Sequence, residues 1–211
     1  MSDDLIFYTN PMSRGRIVRW MLEEVGVPYV TESLDYGTTM KAPAYLAINP
    51  MGKVPAIRHG STVVTEGGAI CAYLADAFPA AGLAPPLGDR RRGAYYRWMF
   101  FAAGPVESAV TNKSLGFEVP AGRELMAGYG SFAHVMDALE IAVSGTPYIA
   151  GDRFSAADVY FGSQIGWGLQ FGTMEKRPAF EAYWSRLVDR PAAVRAREID
   201  DALIAAQAAK G

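Results

Sequence analysis

The stretch NPMGKVPAIRHGSTVVTEGGAI, residues 49–70, decides how this chain is read. Pro55–Arg58 and Thr62–Thr65 are β-favouring runs on either side of His59-Gly60-Ser61, which is a hairpin signal. Glu66-Gly67-Gly68 then opens a helix over Ala69–Phe78, in which Ile70, Tyr73, Leu74 and Ala77 share one side. An acid followed by two glycines leaves backbone N–H groups uncovered beside a carboxylate. One ligand carrying both an amine and a carboxylate would satisfy both halves; an ordinary helix cap with flexible glycines is the other reading. Just upstream, Val54-Pro55 opens the hairpin without a ladder donor. That leaves an edge with which an extended peptide could pair, although from the dipeptide alone the bond is expected to be trans.

On the N-terminal side of this stretch, residues 4–8 (DLIFY) form a short buried strand. From Ser13 to Val25 the spacing is helical, with Ile17, Met21 and Val25 on one face. Gly26 and Pro28 stop that helix, and Val27–Leu34 suits a second strand. Strand, crossover helix and strand make a βαβ unit with parallel strands. A short helical turn over Pro43–Ile48 precedes the hairpin.

On the C-terminal side the composition changes at Pro79. Residues 79–89, PAAGLAPPLGD, hold three prolines and two glycines, too many for a helix or a central strand. This is the expected linker between a domain over 1–79 and a helical domain over 90–211. The candidate helices there are Arg90–Val110, Ala121–Val143, Ala156–Phe171, Pro178–Asp189 and Pro191–Ala209. Before the third of them, Ser155 and Asp158 have capping-box spacing. Asp stands where Glu or Gln is usual, so a shorter arm must make the return bond.

Composition narrows the function. The 211 residues carry a formal net charge of −2, which argues against nucleic acid as the main partner, because phosphate binding needs a concentrated basic surface. No run approaches the roughly 20 apolar residues of a membrane span, and the acidic start MSDD lacks the features of a signal peptide. A single cysteine, Cys71, rules out an internal disulfide or a Cys-x-x-Cys pair, and two scattered histidines make a metal site unexpected. The expectation is a cytoplasmic, metal-free protein.

One electrostatic oddity stands out. Arg14 and Arg16 fall in the first turn of the first helix, where the macrodipole already disfavours cations by a few tenths of a kcal/mol each. A bound anion would reverse that sign, and Ser13 at the mouth of the turn can donate a hydroxyl hydrogen bond. The plainer reading is a capping serine with arginines in solvent.

Together these segments resemble the cytosolic glutathione transferases, and the chain is identified as a bacterial member of that family. NPMGKVPAI is similar to the family's third-strand segment with its cis-proline, TEGGAICAYLAD to its Glu/Gln-Ser helix start, and FSAADVYFG to its helical-domain capping box. The resemblance runs over essentially the whole chain. It implies an α/β thioredoxin-like N-terminal domain plus an all-α C-terminal domain, usually as a homodimer, with glutathione as co-substrate and a hydrophobic electrophile as the second partner. By the same resemblance Glu66 and Gly67 hold the γ-glutamyl end, Val54 fixed by cis-Pro55 pairs with the cysteinyl backbone, and Lys53, assisted by Lys41, approaches the glycine carboxylate. Serine is usual where Gly67 stands, so one hydroxyl donor is missing. Ser13 is the implied thiol-activating donor with Arg14 beside it. Tyr8 competes, as in family members that use a tyrosine at this strand end. The activity implied is conjugation of the glutathione thiolate; a glutathione-dependent peroxidase or isomerase, or a non-catalytic binding module, is the alternative on the same scaffold. The second-substrate pocket is expected to draw on Met12 and on aromatics between Tyr95 and Phe101, most of which must serve packing.

Overall fold

The computed structural model describes residues 4–209; positions 1–3 and 210–211, which the expected domain ranges include, lie outside it. The described residues form two compact units, one reaching Ala81 and resuming at Arg190, the other spanning Gly82–Asp189.

The first unit is built on a four-stranded sheet in the order β2-β1-β3-β4. β1 (Leu5–Thr9) and β2 (Val30–Ser33) are parallel and are joined by α1 (Gly15–Val25), as the βαβ pattern predicts. β3 (Ala56–His59) runs antiparallel to β1 and to β4 (Thr62–Thr65), its partner in the hairpin. A one-turn helix, α2 (Pro43–Leu46), precedes β3, and α3 (Gly67–Ala77) follows β4. Alternation along β1 divides the core. Phe7 lies on the side of Arg19, whose guanidinium sits 5.1 Å from its ring centroid. Tyr8 belongs to the other side, in a cluster with Met40, Tyr45 and Ala56. Gly26, at φ 73°, ends α1 and bonds back to the Leu22 carbonyl at 2.9 Å. This is the stop read from the sequence, a left-handed glycine closing the last turn.

The last helix, α9 (Pro191–Ala208), belongs to this unit, not to the helices that precede it in sequence. It packs on α1 through ion pairs in reversed order: Arg16–Asp201 (2.7 Å), Arg19–Asp200 (2.7 Å), Glu23–Arg195 (3.2 Å) and Glu24–Arg190 (2.7 Å). The two helices therefore run antiparallel. The expected single helical domain over 90–211 thus differs from the observed units, because charge complementarity returns the chain end to α1.

The second unit is helical among its described residues. α4 (Arg92–Phe101) passes through a π-helical stretch at Ala102–Val106, which contains Pro105, into α5 (Glu107–Ser114). The widened turns let the helix continue past a residue that has no N–H to give. α6 (Phe132–Gly145) begins well after the expected Ala121, since Gly122 (φ 78°) and Gly130 (φ 70°) break the spacing and Ser131 caps the true start. α7 (Ala156–Phe171) is buried over most of its length and packs on α8 (Pro178–Val188) through an edge-on Phe161–Tyr183 contact with centroids 6.1 Å apart. The capping box is present, and the shorter arm suffices: Asp158 accepts from the Ser155 N–H at 2.9 Å. No helix of the described residues is long and apolar enough to cross a membrane.

Candidate functional site

The β1–α1 turn is held by Asn10. Its side-chain amide donates to the Leu34 carbonyl (2.9 Å), and its side-chain oxygen accepts from the Met12 N–H (3.0 Å). Ser13 follows. Its hydroxyl donates to the Asn10 carbonyl at 2.7 Å and accepts from the Gly15 N–H at 2.9 Å. The oxygen is thus fixed by a helix-terminal amide, while the hydrogen can swing toward a better acceptor. Glycine is required at position 15, because a Cβ there would collide with the Thr9 hydroxyl and lie 3.0 Å from Ser13 Oγ. Sequence reasoning passes over Asn10 and Gly15, although Asn-Pro is a turn signal in itself.

The arginines divide. Arg14 is exposed at the cap position of α1. Arg16 is engaged, with one amino group on Asp201 at 2.7 Å and the other on the Pro11 carbonyl at 3.4 Å. The carboxylate that answers its charge is therefore one from α9, within the chain. Tyr8 is buried with its ring 5.7 Å from that of Tyr45. It sits among Met40, Ala56 and Val54, on the face of β1 opposite Phe7.

Val54 and Pro55 are joined by a cis bond, two and one residues ahead of β3, whose pairing with β1 begins at Ala56. Val54 is therefore outside the ladder. The loop before it is held by side chains: Tyr45 and Asn49 donate to the Lys53 carbonyl at 2.6 and 2.8 Å, and Lys41 Nζ donates to the Gly52 carbonyl at 2.7 Å. Burial pushes the Tyr45 phenol up to about 12, against the lowering effect of Asn49 beside it. The Lys53 ammonium is exposed and makes no ion pair with another described residue.

Glu66 is the feature of α3 that the sequence could not give. It is the single non-glycine residue at positive φ among those described, at φ 68° and ψ 119°. Its exposed side chain makes no capping hydrogen bond, and Gly67 begins the helix. Holding such a residue in a sparsely populated backbone region costs on the order of 1–3 kcal/mol, and strain of this size is typical of ligand clamps.

Ser13, Arg14, Tyr8, Lys41, Lys53, Val54, Pro55, Glu66 and Gly67 all belong to the first unit. Of the aromatics named for the second substrate, Tyr95 and Trp98 are buried, as packing demands, while Tyr96 and Phe100 are exposed. Cys71 is fully buried, and burial drives its thiol pKa upward. It is an inert core residue.

The chain is similar to known proteins over most of its length. The family profile for the glutathione S-transferase N-terminal domain matches residues 12–77, and that for the C-terminal domain matches residues 124–191. Glutathione S-transferase F13 of Arabidopsis thaliana is 29% identical over 168 residues, covering 72% of this chain and 75% of its own. Glutathione S-transferase GstA of Escherichia coli O157:H7 is 28% identical, over 76% and 77% of the two chains. Among solved structures, a glutathione transferase from Methylococcus capsulatus superposes with a TM-score of 0.77 at 29% identity, covering 93% of this chain and 98% of that one. A sphingomonad glutathione S-transferase complexed with glutathione gives 0.76 at 28% identity, with the same coverage.

Proposed function

Because the chain belongs to the glutathione S-transferase family, we propose that it is a transferase that joins the glutathione thiolate to an electrophilic, largely apolar small molecule. The observation that carries this reading is Glu66, a residue of strained backbone at the start of an eleven-residue helix, whose carboxylate makes no capping bond. It suits the ammonium of a γ-glutamyl group, while the N–H groups of Gly67 and Gly68 suit the neighbouring carboxylate. Val54, outside the ladder, would pair with the cysteinyl backbone like an added strand. Lys53 would meet the glycine carboxylate, with Lys41 in support.

The sulfur would then come to the turn at Ser13. A free thiol has a pKa of about 8.5, so only a few per cent is ionised at neutral pH. Three features favour the anion: the Ser13 hydroxyl, polarised by the Gly15 N–H; the amino end of α1; and the exposed charge of Arg14. The Ser13 hydroxyl donates to the Asn10 carbonyl, and rotation about its Cβ–Oγ bond would turn the proton toward a thiolate. Lowering the pKa by about two units corresponds to roughly 2.7 kcal/mol of preference for the anion. Ser13 is a donor in this scheme; the nucleophile is the sulfur, which forms the new bond to carbon as the electrophile's leaving group or π-electrons depart. Tyr8, packed among Met40, Tyr45 and Ala56, is the weaker candidate for this role.

Titration of thiolate absorbance with bound glutathione tests the proposal. The expected pKa is about 6.5, and Ser13→Ala should raise it by about a unit or more. An unshifted thiol in the wild type refutes thiol activation. An unchanged value in Ser13→Ala moves the role away from Ser13.

A further inference from the structure

The residues between α2 and β3 belong to no ladder, yet three consecutive carbonyls there are held by side chains. Lys41 Nζ donates to the Met51 carbonyl at 3.3 Å and to the Gly52 carbonyl at 2.7 Å. The Lys53 carbonyl accepts two bonds, from the Tyr45 hydroxyl at 2.6 Å and from the Asn49 amide at 2.8 Å. Tyr45 and Asn49 are 3% and 5% exposed, so these donors are themselves fixed. Asn49 also closes the turn from within, its side-chain oxygen taking the Met51 N–H at 3.1 Å. Gly52 is fitted to the arrangement. It lies at φ 57°, and a Cβ would lie 2.9 Å from Lys41 Nζ and 3.0 Å from Leu46 Cδ2. Such a φ disfavours any side chain.

The doubly held carbonyl matters because a peptide group is planar. Fixing the oxygen of Lys53 from two directions fixes the plane of the Lys53–Val54 peptide, and with it the direction of the Val54 N–H. That N–H is the donor an added peptide strand would use. We infer that Tyr45, Asn49 and Lys41 are positioning residues that clamp the 51–53 carbonyls and thereby set how tightly Val54 holds the cysteinyl portion of glutathione; this rests on the glutathione reading above. Lys41 then contributes through the loop it holds, and Lys53 is left as the ammonium directed at the ligand.

Tyr45→Phe removes one donor and keeps the ring that packs on Tyr8, so the fold is retained. Calorimetry with glutathione should show binding about three- to tenfold weaker, because ordering the Val54 peptide would then fall on the binding step, and the cost of ordering about one residue's backbone is of that size. The dipeptide γ-glutamylcysteine keeps the cysteinyl edge and lacks the glycine, so its binding should weaken by the same factor. A loss confined to glutathione would mean that the effect runs through the Lys53 side chain and would overturn the inference; so would equal affinity of variant and wild type. A wild type that binds neither peptide removes the glutathione reading. The clamp itself is then decided on the free protein by amide relaxation at Val54: the order parameter should be about 0.85 in the wild type and fall toward about 0.6 in Tyr45→Phe. Identical relaxation in the two proteins would refute it.

Discussion

Replacing Asp158 by alanine should cost far more than the loss of a helix cap. An ordinary N-terminal cap contributes about 1 kcal/mol. Asp158, however, is fully buried and accepts four bonds: from the Ile149 N–H (2.7 Å) and Tyr183 hydroxyl (2.8 Å) on one oxygen, and from the Ser155 N–H (2.9 Å) and hydroxyl (3.1 Å) on the other. In Asp158→Ala the Ser155 hydroxyl can still serve the backbone N–H of position 158. The Ile149 N–H, the Ser155 N–H and the Tyr183 hydroxyl are left without a partner, all in residues no more than 5% exposed. A stranded buried donor costs about 1–3 kcal/mol. Part of this is returned, because the carboxylate is itself penalised by burial, which raises its pKa despite the donors around it. Taking the low end for each donor gives a net loss of about 3 kcal/mol. Urea unfolding followed by far-UV circular dichroism would read this as a midpoint lowered by roughly 1 M or more, at a slope of about 2–3 kcal/mol per M. Ser155→Ala, which leaves Ile149 and Tyr183 paired, should lose only about 1 kcal/mol. If Asp158→Ala loses no more than Ser155→Ala, the carboxylate is a cap and not the hub that joins α7 to α8 and to Ile149.

Two further outcomes follow from burial within the first unit. Asp200→Asn should destabilise by about 3 kcal/mol or more, because it leaves the buried Arg19 charge uncompensated. Asp201 offers the contrast, since its carboxylate is 64% exposed; Asp201→Asn should stay within about 0.5 kcal/mol in the same urea assay. Tyr29 and Tyr45 are pushed up to about 12, each first by burial and Tyr29 also by its bond to Glu23. Since unfolded phenols ionise at about 10, stability should be intact below about pH 10 and decline as pH rises toward about 12. Phenolate absorbance should show late-titrating groups that include Tyr29, Tyr45 and the buried Tyr183, one fewer in Tyr45→Phe.

Much of the first unit is legible because its signals are local. The βαβ spacing, the His59-Gly60-Ser61 turn and the Gly26 stop each act over a few residues, and each element lies within a few residues of its expected place. The errors share a cause. Apolar spacing makes residues 121–131 read as helix, but glycines at positive φ and the Ser131 cap decide where α6 begins. The attachment of α9 depends on a partner near the opposite end of the chain, so no window along the sequence contains it. The relevant signal is the charge order, with Arg16, Arg19, Glu23 and Glu24 on one helix set against Asp201, Asp200, Arg195 and Arg190 on the other. Tyr45 and Asn49 escape a sequence reading for a similar reason. Their side chains act on a carbonyl, and carbonyls carry no mark in a sequence.

That same charge order accounts for the oddity at the start of α1. Several charges oppose the dipole of their own helix: α1 has Arg16 near its amino end and Glu23 and Glu24 near its carboxyl end, and Arg190 stands at the amino-terminal cap of α9, whereas Asp200 and Asp201 lie too far from the end of α9 to feel its dipole. Such placements disfavour an isolated helix by a few tenths of a kcal/mol per charge. Laid antiparallel, each misplaced charge meets its opposite, so the pattern specifies a partner helix. It does not by itself call for a bound anion at Arg16. Arg16 together with Asp201 presents a pair with no net charge to the Ser13 turn. On the proposed glutathione reading, what would favour a thiolate there is the Ser13 hydroxyl, the amino end of α1 and Arg14. On that reading, activation of the thiol would rest mainly on the Ser13 donor, which acts at contact distance and is only weakly screened by salt.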